Sequence, residues 1–343
     1  MENFKFLAKR LAILFGGIIG LIVVIFIGIQ LYQTNPDLFR YEEIADADWK
    51  PRDVENEMET TYIMPDVRYG YEILTETQKH IGPQAKKPEM RYAGNNLKCT
   101  SCHIESGNLP GGSSWAGVTD RYPKFGGRSN STGDIKDRVN GCMERSMNGE
   151  MIDRDSREMR SIVAYMEWLG DKIPESQVQP IAGFAELELP NRAVDLNKGK
   201  KVYMKDCTLC HKDDGQGVRN SELEDGYQYP PLWGEDSYNE GAGMHRVITA
   251  SKFIKANMPY LSATRDEPVL TDEEAYDVAG YINSFDRPSK PNKEDDFPDR
   301  KLKPVSTPYA PWADDFSAEQ HKYGPFKPII EHYIEKHDIK KSK

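Results

Sequence analysis

The chain has 343 residues, 29% of them charged, with 45 Lys and Arg against 55 Asp and Glu for a net charge of −10. A surface this acidic excludes nucleic acid as a partner, and it repels small anions except where a local basic site overrides it.

Lys5, Lys9 and Arg10 open the chain against a single acid, Glu2, and residues 11–29 then run without a charge. At about 1.5 Å per residue this stretch spans roughly 28 Å, close to one bilayer core. A cleaved signal peptide would carry an apolar region of only about 7–15 residues, followed by small residues at a cleavage site. The stretch leads instead into Gln-Leu-Tyr-Gln-Thr-Asn-Pro. The expectation is an uncleaved anchor over residues 1–32 with its basic flank in the cytoplasm, which puts the rest of the chain on the periplasmic side of the cytoplasmic membrane.

Residues 33–66 read as a tether rich in acids and proline. A helix is expected over 69–80, followed by a lead-in over 91–97. Then comes Cys99-Thr100-Ser101-Cys102-His103, and further on Cys207-Thr208-Leu209-Cys210-His211. Cys-x-x-Cys-His is the attachment pattern of c-type haem. The two thiols form thioethers to one porphyrin, and the adjacent imidazole ligates its iron. Paired Cys-x-x-Cys motifs also build zinc sites, but zinc leaves the adjoining histidine unexplained in both places. Two covalently attached haem c groups are therefore expected, on Cys99, Cys102, Cys207 and Cys210, with His103 and His211 on the irons. The fold class follows: all-α, two cytochrome c-type domains in tandem behind an N-terminal transmembrane helix. The expected boundaries are 67–180 and 181–286.

Each haem unit closes with an amphipathic helix. Over 155–169 the residues Met159, Ile162, Val163, Met166 and Leu169 share a face, with Asp155 and Glu158 as a capping box and Gly170 as the stop. Over 271–285 the cap is Thr271 with Glu274, and Ala275, Val278, Ala279 and Ile282 form the stripe. The second unit opens with a helix over 197–206, in which Gly199 and Tyr203 precede Cys207 at four-residue steps. A linker over 171–192 joins the units. After Asp286 comes a tail, 287–343, with eight prolines from Pro288 to Pro328 and a short helix over 329–337. A tail of this kind makes no core of its own, so it either wraps the haem domains or binds a partner. Its His321, His332 and His337 read as surface residues.

The irons need further ligands. For the second haem the best candidate is Met258, in a loop and followed by Pro259; Met244 is the rival, and His245 reads as a surface or haem-edge residue. A thioether raises the potential of the iron it ligates. For the first haem the decisive stretch is 134–149. Asp134 starts a helix, Arg138 and Cys142 share a face four residues apart, and Gly141 lets the backbone approach a flat porphyrin. The haem motifs use the other four cysteines, so Cys142 has no disulfide partner.

The run from Tyr92-Ala93-Gly94-Asn95-Asn96-Leu97-Lys98-Cys99 through Arg138-Val139-Asn140-Gly141-Cys142-Met143-Glu144-Arg145-Ser146-Met147-Asn148-Gly149 resembles the thiosulfate dehydrogenase family of dihaem cytochromes c, which interconvert thiosulfate and tetrathionate. The likeness extends through 162–170 and into Ala256-Asn257-Met258-Pro259, covering about residues 67–286. It implies His103 and Cys142 as ligands of an active-site haem, His211 and Met258 as ligands of an electron-transfer haem, and Arg128 and Arg138 as active-site arginines. Some relatives place Lys directly before that methionine and exchange the two as ligands. This chain has Asn257 there, which excludes such a switch through that neighbour.

Joining two thiosulfate dianions requires a positive site, because at about 4 Å they repel by roughly 4 kcal/mol even in water. Six cations (Arg121, Lys124, Arg128, Lys136, Arg138, Arg145) stand against three acids between positions 121 and 145. Lys124, Lys136 and Arg145 read as a solvated face. A thiolate on the first iron and a thioether on the second would run electrons downhill to the second. The electron partner would be a membrane quinol or oxidase component, or a small cytochrome c. The alternative function is a membrane-anchored dihaem electron carrier without a substrate of its own. A dihaem peroxidase would need an open distal position, which the Cys142 stretch argues against.

Overall fold

The computed structural model describes residues 1–34, 49–220 and 226–341. The chain divides into two units, Met1–Asp48 and Trp49–Lys343. The first contains one helix, Glu2–Thr34. The most apolar 18 residues within Phe4–Thr34 have a mean hydropathy of 3.0 and none of them is buried, so this helix is long and apolar enough to cross a membrane. Of the stretch read as a tether, residues 35–48 lie outside the described residues.

The second unit is helical around two apolar cores, with two small two-stranded ribbons, Lys124–Gly126 with Ser131–Gly133 and Val218–Arg219 with Tyr227–Tyr229. In the first core the helix Pro65–Thr75 crosses Arg157–Gly170. The crossing is tight at Gly70, where a Cβ would lie 2.0 Å from the Ser161 carbonyl oxygen. The second core repeats the arrangement. Leu196–Asp206 crosses Asp272–Ile282, and a Cβ on Gly199 would lie 2.2 Å from the Asp277 carbonyl oxygen. A glycine at the crossing lets two helix backbones approach more closely than any side chain allows.

The expected helix over 69–80 starts earlier and breaks at Glu76, giving Pro65–Thr75 and the single turn Thr77–His80. The closing helix of the first unit starts at Ser156, not Asp155: the Ser156 hydroxyl accepts from the Met159 amide at 3.1 Å. Its stripe of Met159, Ile162, Met166 and Leu169 is buried in the core. The Thr271–Glu274 capping box forms as expected. The linker contains a further helix, Glu175–Ala182. Ahead of the first haem unit, Val54 and Met58 are buried in its core, and Arg52 donates to the Trp168 carbonyl at 3.0 Å.

The Pro-rich tail wraps the haem domains. Val305, Phe326, Ile329 and Tyr333 are buried in the second core, each contributing about 1.5–3 kcal/mol if fully removed from water. Its final helix is Lys327–His337. His321, expected at the surface, is 1% exposed. Its Nδ1 lies 2.7 Å from the Val305 carbonyl and its Nε2 lies 2.8 Å from Asp314. Asp314 also accepts from the Tyr333 hydroxyl at 2.6 Å. His332 and His337 are partly covered, each with a buried Nε2.

Candidate functional site

Both Cys-x-x-Cys-His segments place their histidines in the same way. The His103 Nδ1 lies 2.5 Å from the Ser113 carbonyl, and the His211 Nδ1 lies 2.9 Å from the Pro230 carbonyl. A carbonyl only accepts, so Nδ1 carries the proton and each Nε2 keeps its lone pair for a metal. Burial pushes the His103 pKa down to about 4 and lowers that of His211, so both rings are neutral at physiological pH. The His103 ring stacks on Trp115 at 4.4 Å. That stacking depends on Gly107, at φ +77, where a Cβ would lie 1.7 Å from the Trp115 ring. In the first segment the Cys99 amide donates to the Thr77 hydroxyl at 3.0 Å. None of the five cysteines is in a disulfide, and all are partly covered. Paired thiols beside an imidazole with a free Nε2 are the donor set that a c-type haem requires.

The Cys142 helix is Ile135–Met143, started by a capping box between Asp134 and Asp137. Its far end is stitched to the lead-in of the first haem segment. The Gly94 amide donates to the Met147 carbonyl at 2.9 Å, and the Glu150 amide donates to the Tyr92 carbonyl at 2.8 Å. Gly94 and Gly149 permit that contact: a Cβ on either would meet the opposing carbonyl at 2.1 or 2.0 Å. Cys142 lies within electrostatic range of Cys99 and Cys102. Arg138, one turn before Cys142 on the same helix, is exposed. The Cys142 sulfur, above all, raises the Arg138 pKa, so its positive charge persists.

Arg128 and Arg138 play different parts. Arg128 is held by the tail: its Nη1 donates to Asp296 at 2.5 Å and to the Tyr309 hydroxyl at 3.2 Å, and its guanidinium lies over the Phe297 ring. Arg138 forms no ion pair among the described residues. Arg145, expected on a solvated face, is 11% exposed and donates from Nη2 to Asp296 at 2.6 Å. The carboxylate of Asp296 is thereby fully engaged, and it also accepts from the Tyr309 hydroxyl at 2.8 Å. Burial raises the Asp296 pKa, but Arg145, Arg128 and Tyr309 outweigh it and hold the group below the usual carboxylate range.

A residue that sequence reasoning missed is Arg246. It occupies the position before the helix Val247–Asn257, without a capping side-chain bond, and lies within electrostatic range of Arg128 and Arg138. Burial first, then Arg128, pushes its pKa down to about 9, so it remains charged near neutrality. No local pattern marks it, because the arginines that act on it lie more than a hundred positions away along the chain.

Met258 ends the same helix, as its C-cap. Asn257 is buried, and its Nδ2 donates to the Gly111 carbonyl at 3.0 Å, in the loop that also supplies Ser113 to His103. Met258 and Met244 both pack against the second core. His245, read as a surface or haem-edge residue, is buried, and its Nδ1 lies 2.9 Å from the Glu240 carbonyl.

Residues 90–174 match the family model for the SoxA/TsdA cytochrome c domain, and residues 196–286 match the model for cytochrome c. Two such domains carry two covalently bound haem c groups. Over 225 residues the chain is 37% identical to a thiosulfate dehydrogenase of Stutzerimonas stutzeri (strain A1501), covering 66% of this chain and 68% of that protein. Over 233 residues it is 36% identical to one from Psychrobacter arcticus (strain DSM 17307 / VKM B-2377 / 273-4), covering 68% and 66%. Among solved structures it resembles the thiosulfate dehydrogenase (TsdBA) of Marichromatium purpuratum in its "as isolated" form. That match has a TM-score of 0.61 at 30% identity, over 71% of this chain, and the chain spans half the length of that structure.

Proposed function

We infer the function from one premise: this chain belongs to the thiosulfate dehydrogenase family of dihaem c-type cytochromes. It oxidises two thiosulfate ions to tetrathionate, with the chemistry at the first haem and electron exit through the second. In this reading Cys99 and Cys102 hold the first haem, with His103 and Cys142 on its iron. Cys207 and Cys210 hold the second, with His211 and Met258 on its iron. When bound, the haems supply one-electron acceptors, the second at higher potential because of its thioether ligand.

The observation that supports the reading is the electrostatic proximity of Cys142 to Cys99, Cys102 and Arg138, with Arg138 in no ion pair among the described residues. Arg138 and Arg128 orient the sulfonate-like oxygens of the substrate, and each charge-assisted bond offsets about 1.5–3 kcal/mol of the repulsion between two dianions. The Cys142 thiolate bonds the outer sulfur of the first thiosulfate, releasing two electrons. The outer sulfur of the second thiosulfate then attacks that sulfur, and tetrathionate leaves as the thiolate is restored. The reverse sequence cleaves tetrathionate with two electrons, so the reaction is reversible in principle.

The N-terminal helix anchors the protein in the cytoplasmic membrane, with the haem domains on the periplasmic face. Electrons are exchanged with a membrane quinone/quinol or oxidase component or with a small cytochrome c. The test is thiosulfate-dependent reduction of an artificial acceptor, with tetrathionate quantified, for the wild type and Cys142→Gly. Turnover lost in the variant while both haems stay attached supports the reading. Full turnover in the variant refutes the role of Cys142, and no wild-type turnover in either direction refutes the function.

A further inference from the structure

The C-terminal tail builds a socket around Arg128. Asp296 and the Tyr309 hydroxyl both accept from its Nη1, at 2.5 and 3.2 Å, and the hydroxyl donates in turn to Asp296 at 2.8 Å. The guanidinium carbon lies 4.9 Å from the centre of the Phe297 ring, and the Phe297 amide donates to the Arg128 carbonyl at 2.8 Å. Two consecutive tail residues therefore grip both the side chain and the backbone of Arg128. Beside it Gly127 packs on the tail as well, where a Cβ would lie 3.0 Å from the Leu302 Cβ.

Phe297 stands at φ +61, a left-handed conformation that a bulky side chain rarely adopts. Such strain persists where the surroundings over-determine it. Here Arg300 clamps the turn, donating from Nη1 to the Asp296 carbonyl at 2.6 Å and to the Phe297 carbonyl at 2.7 Å. The same carboxylate reaches the Cys142 helix. Arg145 donates from Nη2 to Asp296 at 2.6 Å, and from Nη1 to Glu144 at 3.2 Å and to the Gly141 carbonyl at 3.3 Å. The Arg145 amide donates to the Cys142 carbonyl at 3.2 Å. Asp296 is thus a bridge from Arg128 to the end of the helix that carries Cys142. Both hydrogen bonds of the Arg128 guanidinium leave from Nη1, so Nε and Nη2 take no partner among the described residues.

We propose that Asp296 and Tyr309 are positioning residues for thiosulfate: they hold Arg128 by Nη1, at a distance from Cys142 that the Asp296–Arg145 bridge sets, and so turn its Nε and Nη2 toward the sulfonate-like oxygens. The proposal rests on the function inferred above and adds the tail to that site. A flexible arginine would lose side-chain freedom when the anion arrives; one already seated in a socket has lost it on folding. The rival role for Asp296 is a latch that competes with the anion for Arg128, and it gives the opposite sign in the test.

The experiment uses the full chain with both haems. Thiosulfate saturation curves are recorded for wild type, Tyr309→Phe and Asp296→Asn, and for each substitution combined with Arg128→Gln. Each single variant is expected to raise KM for thiosulfate about three- to tenfold with kcat little changed, as for a hydrogen bond that organises binding before the chemical step. In the Arg128→Gln background the same substitutions should move KM by less than about twofold, because the side chain they position is gone. A residue that merely stabilises the fold would act equally in both backgrounds, and that result overturns the proposal. An unchanged KM in both single variants overturns it, as does an unchanged KM in Arg128→Gln alone. A lowered KM in Asp296→Asn also overturns it and makes the carboxylate a competitor of the substrate. If Asp296→Asn fails to accumulate with both haems, Tyr309→Phe decides alone by the same comparison. A wild type without turnover removes the function and this role together; turnover with an unmoved KM removes only the role of the tail.

Discussion

Asp296 and Arg128 form a 2.5 Å ion pair between positions 168 apart, one in the C-terminal segment and one beside the first haem segment. The carboxylate is 6% exposed and the guanidinium 26%. The tail thus contributes the counterion that fixes Arg128, an arginine the proposed function places at the substrate.

Replacing that carboxylate leaves Arg128 without an ion pair and Arg145 with Glu144 alone, at 3.2 Å. Breaking a buried pair from one side typically costs about 3–5 kcal/mol. Since Arg128 keeps some exposure, Asp296→Asn should fall at or below the lower end, about 2–3 kcal/mol. Thermal unfolding of the full chain checks this, and an unchanged midpoint would mean that the pair contributes nothing.

In the proposed function Arg138, which forms no ion pair among the described residues, meets the substrate. Arg138→Gln should lower kcat/KM for thiosulfate about ten- to a hundredfold, the kinetic equivalent of one charge-assisted hydrogen bond. Haem content should stay at two per chain. Steady-state kinetics with a quantified haem spectrum is the measurement.

The two tight helix crossings make a paired prediction. Gly70→Ala and Gly199→Ala each drive a methyl into a carbonyl oxygen across the crossing, at 2.0 and 2.2 Å. Overpacking of this kind costs about 1–3 kcal/mol or more. Each variant should loosen its own haem domain first, which protease digestion mapped by haem-peptide mass will report.

The Asp314 cluster sets an acid limit on the tail. Burial raises the Asp314 pKa, but the hydrogen bonds from Tyr333 and His321 outweigh it, so the folded value lies below the unfolded one. A depressed carboxyl contributes stability above its unfolded pKa of about 3.9, and that contribution disappears as pH falls through the folded value. Unfolding midpoints of the wild type should therefore drop more steeply than those of Asp314→Asn below about pH 4. Parallel curves would show that the carboxylate has no such role.

Local patterns carried much of the architecture. The haem segments, the start of the Cys142 helix at Asp134 and the Thr271–Glu274 box each lie within a few residues of sequence and could be read directly. Adjacent capping residues compete, which is why Ser156 rather than Asp155 starts the closing helix of the first unit. The surroundings of Arg145 and Arg246 were not legible, because Asp296 pairs with the first and the loop before the second is held by the Asn239 side chain on the Glu144 carbonyl. The same holds for His321: nothing near it in sequence except Asp314 signals that a proline-rich tail will cover it.

The helix Lys327–His337 supplies Ile329 and Tyr333 to the core that surrounds the second haem segment. Synthesis runs in one direction, so Cys207 and Cys210 emerge long before the residues that close over them. The second thioether pair must therefore form on a half-built domain, or wait for the chain to finish. Order of assembly becomes a property of the sequence: the first core, drawn from residues 54–227, is nearly complete before the tail is made, whereas the second remains open to the attachment machinery until the last helix arrives.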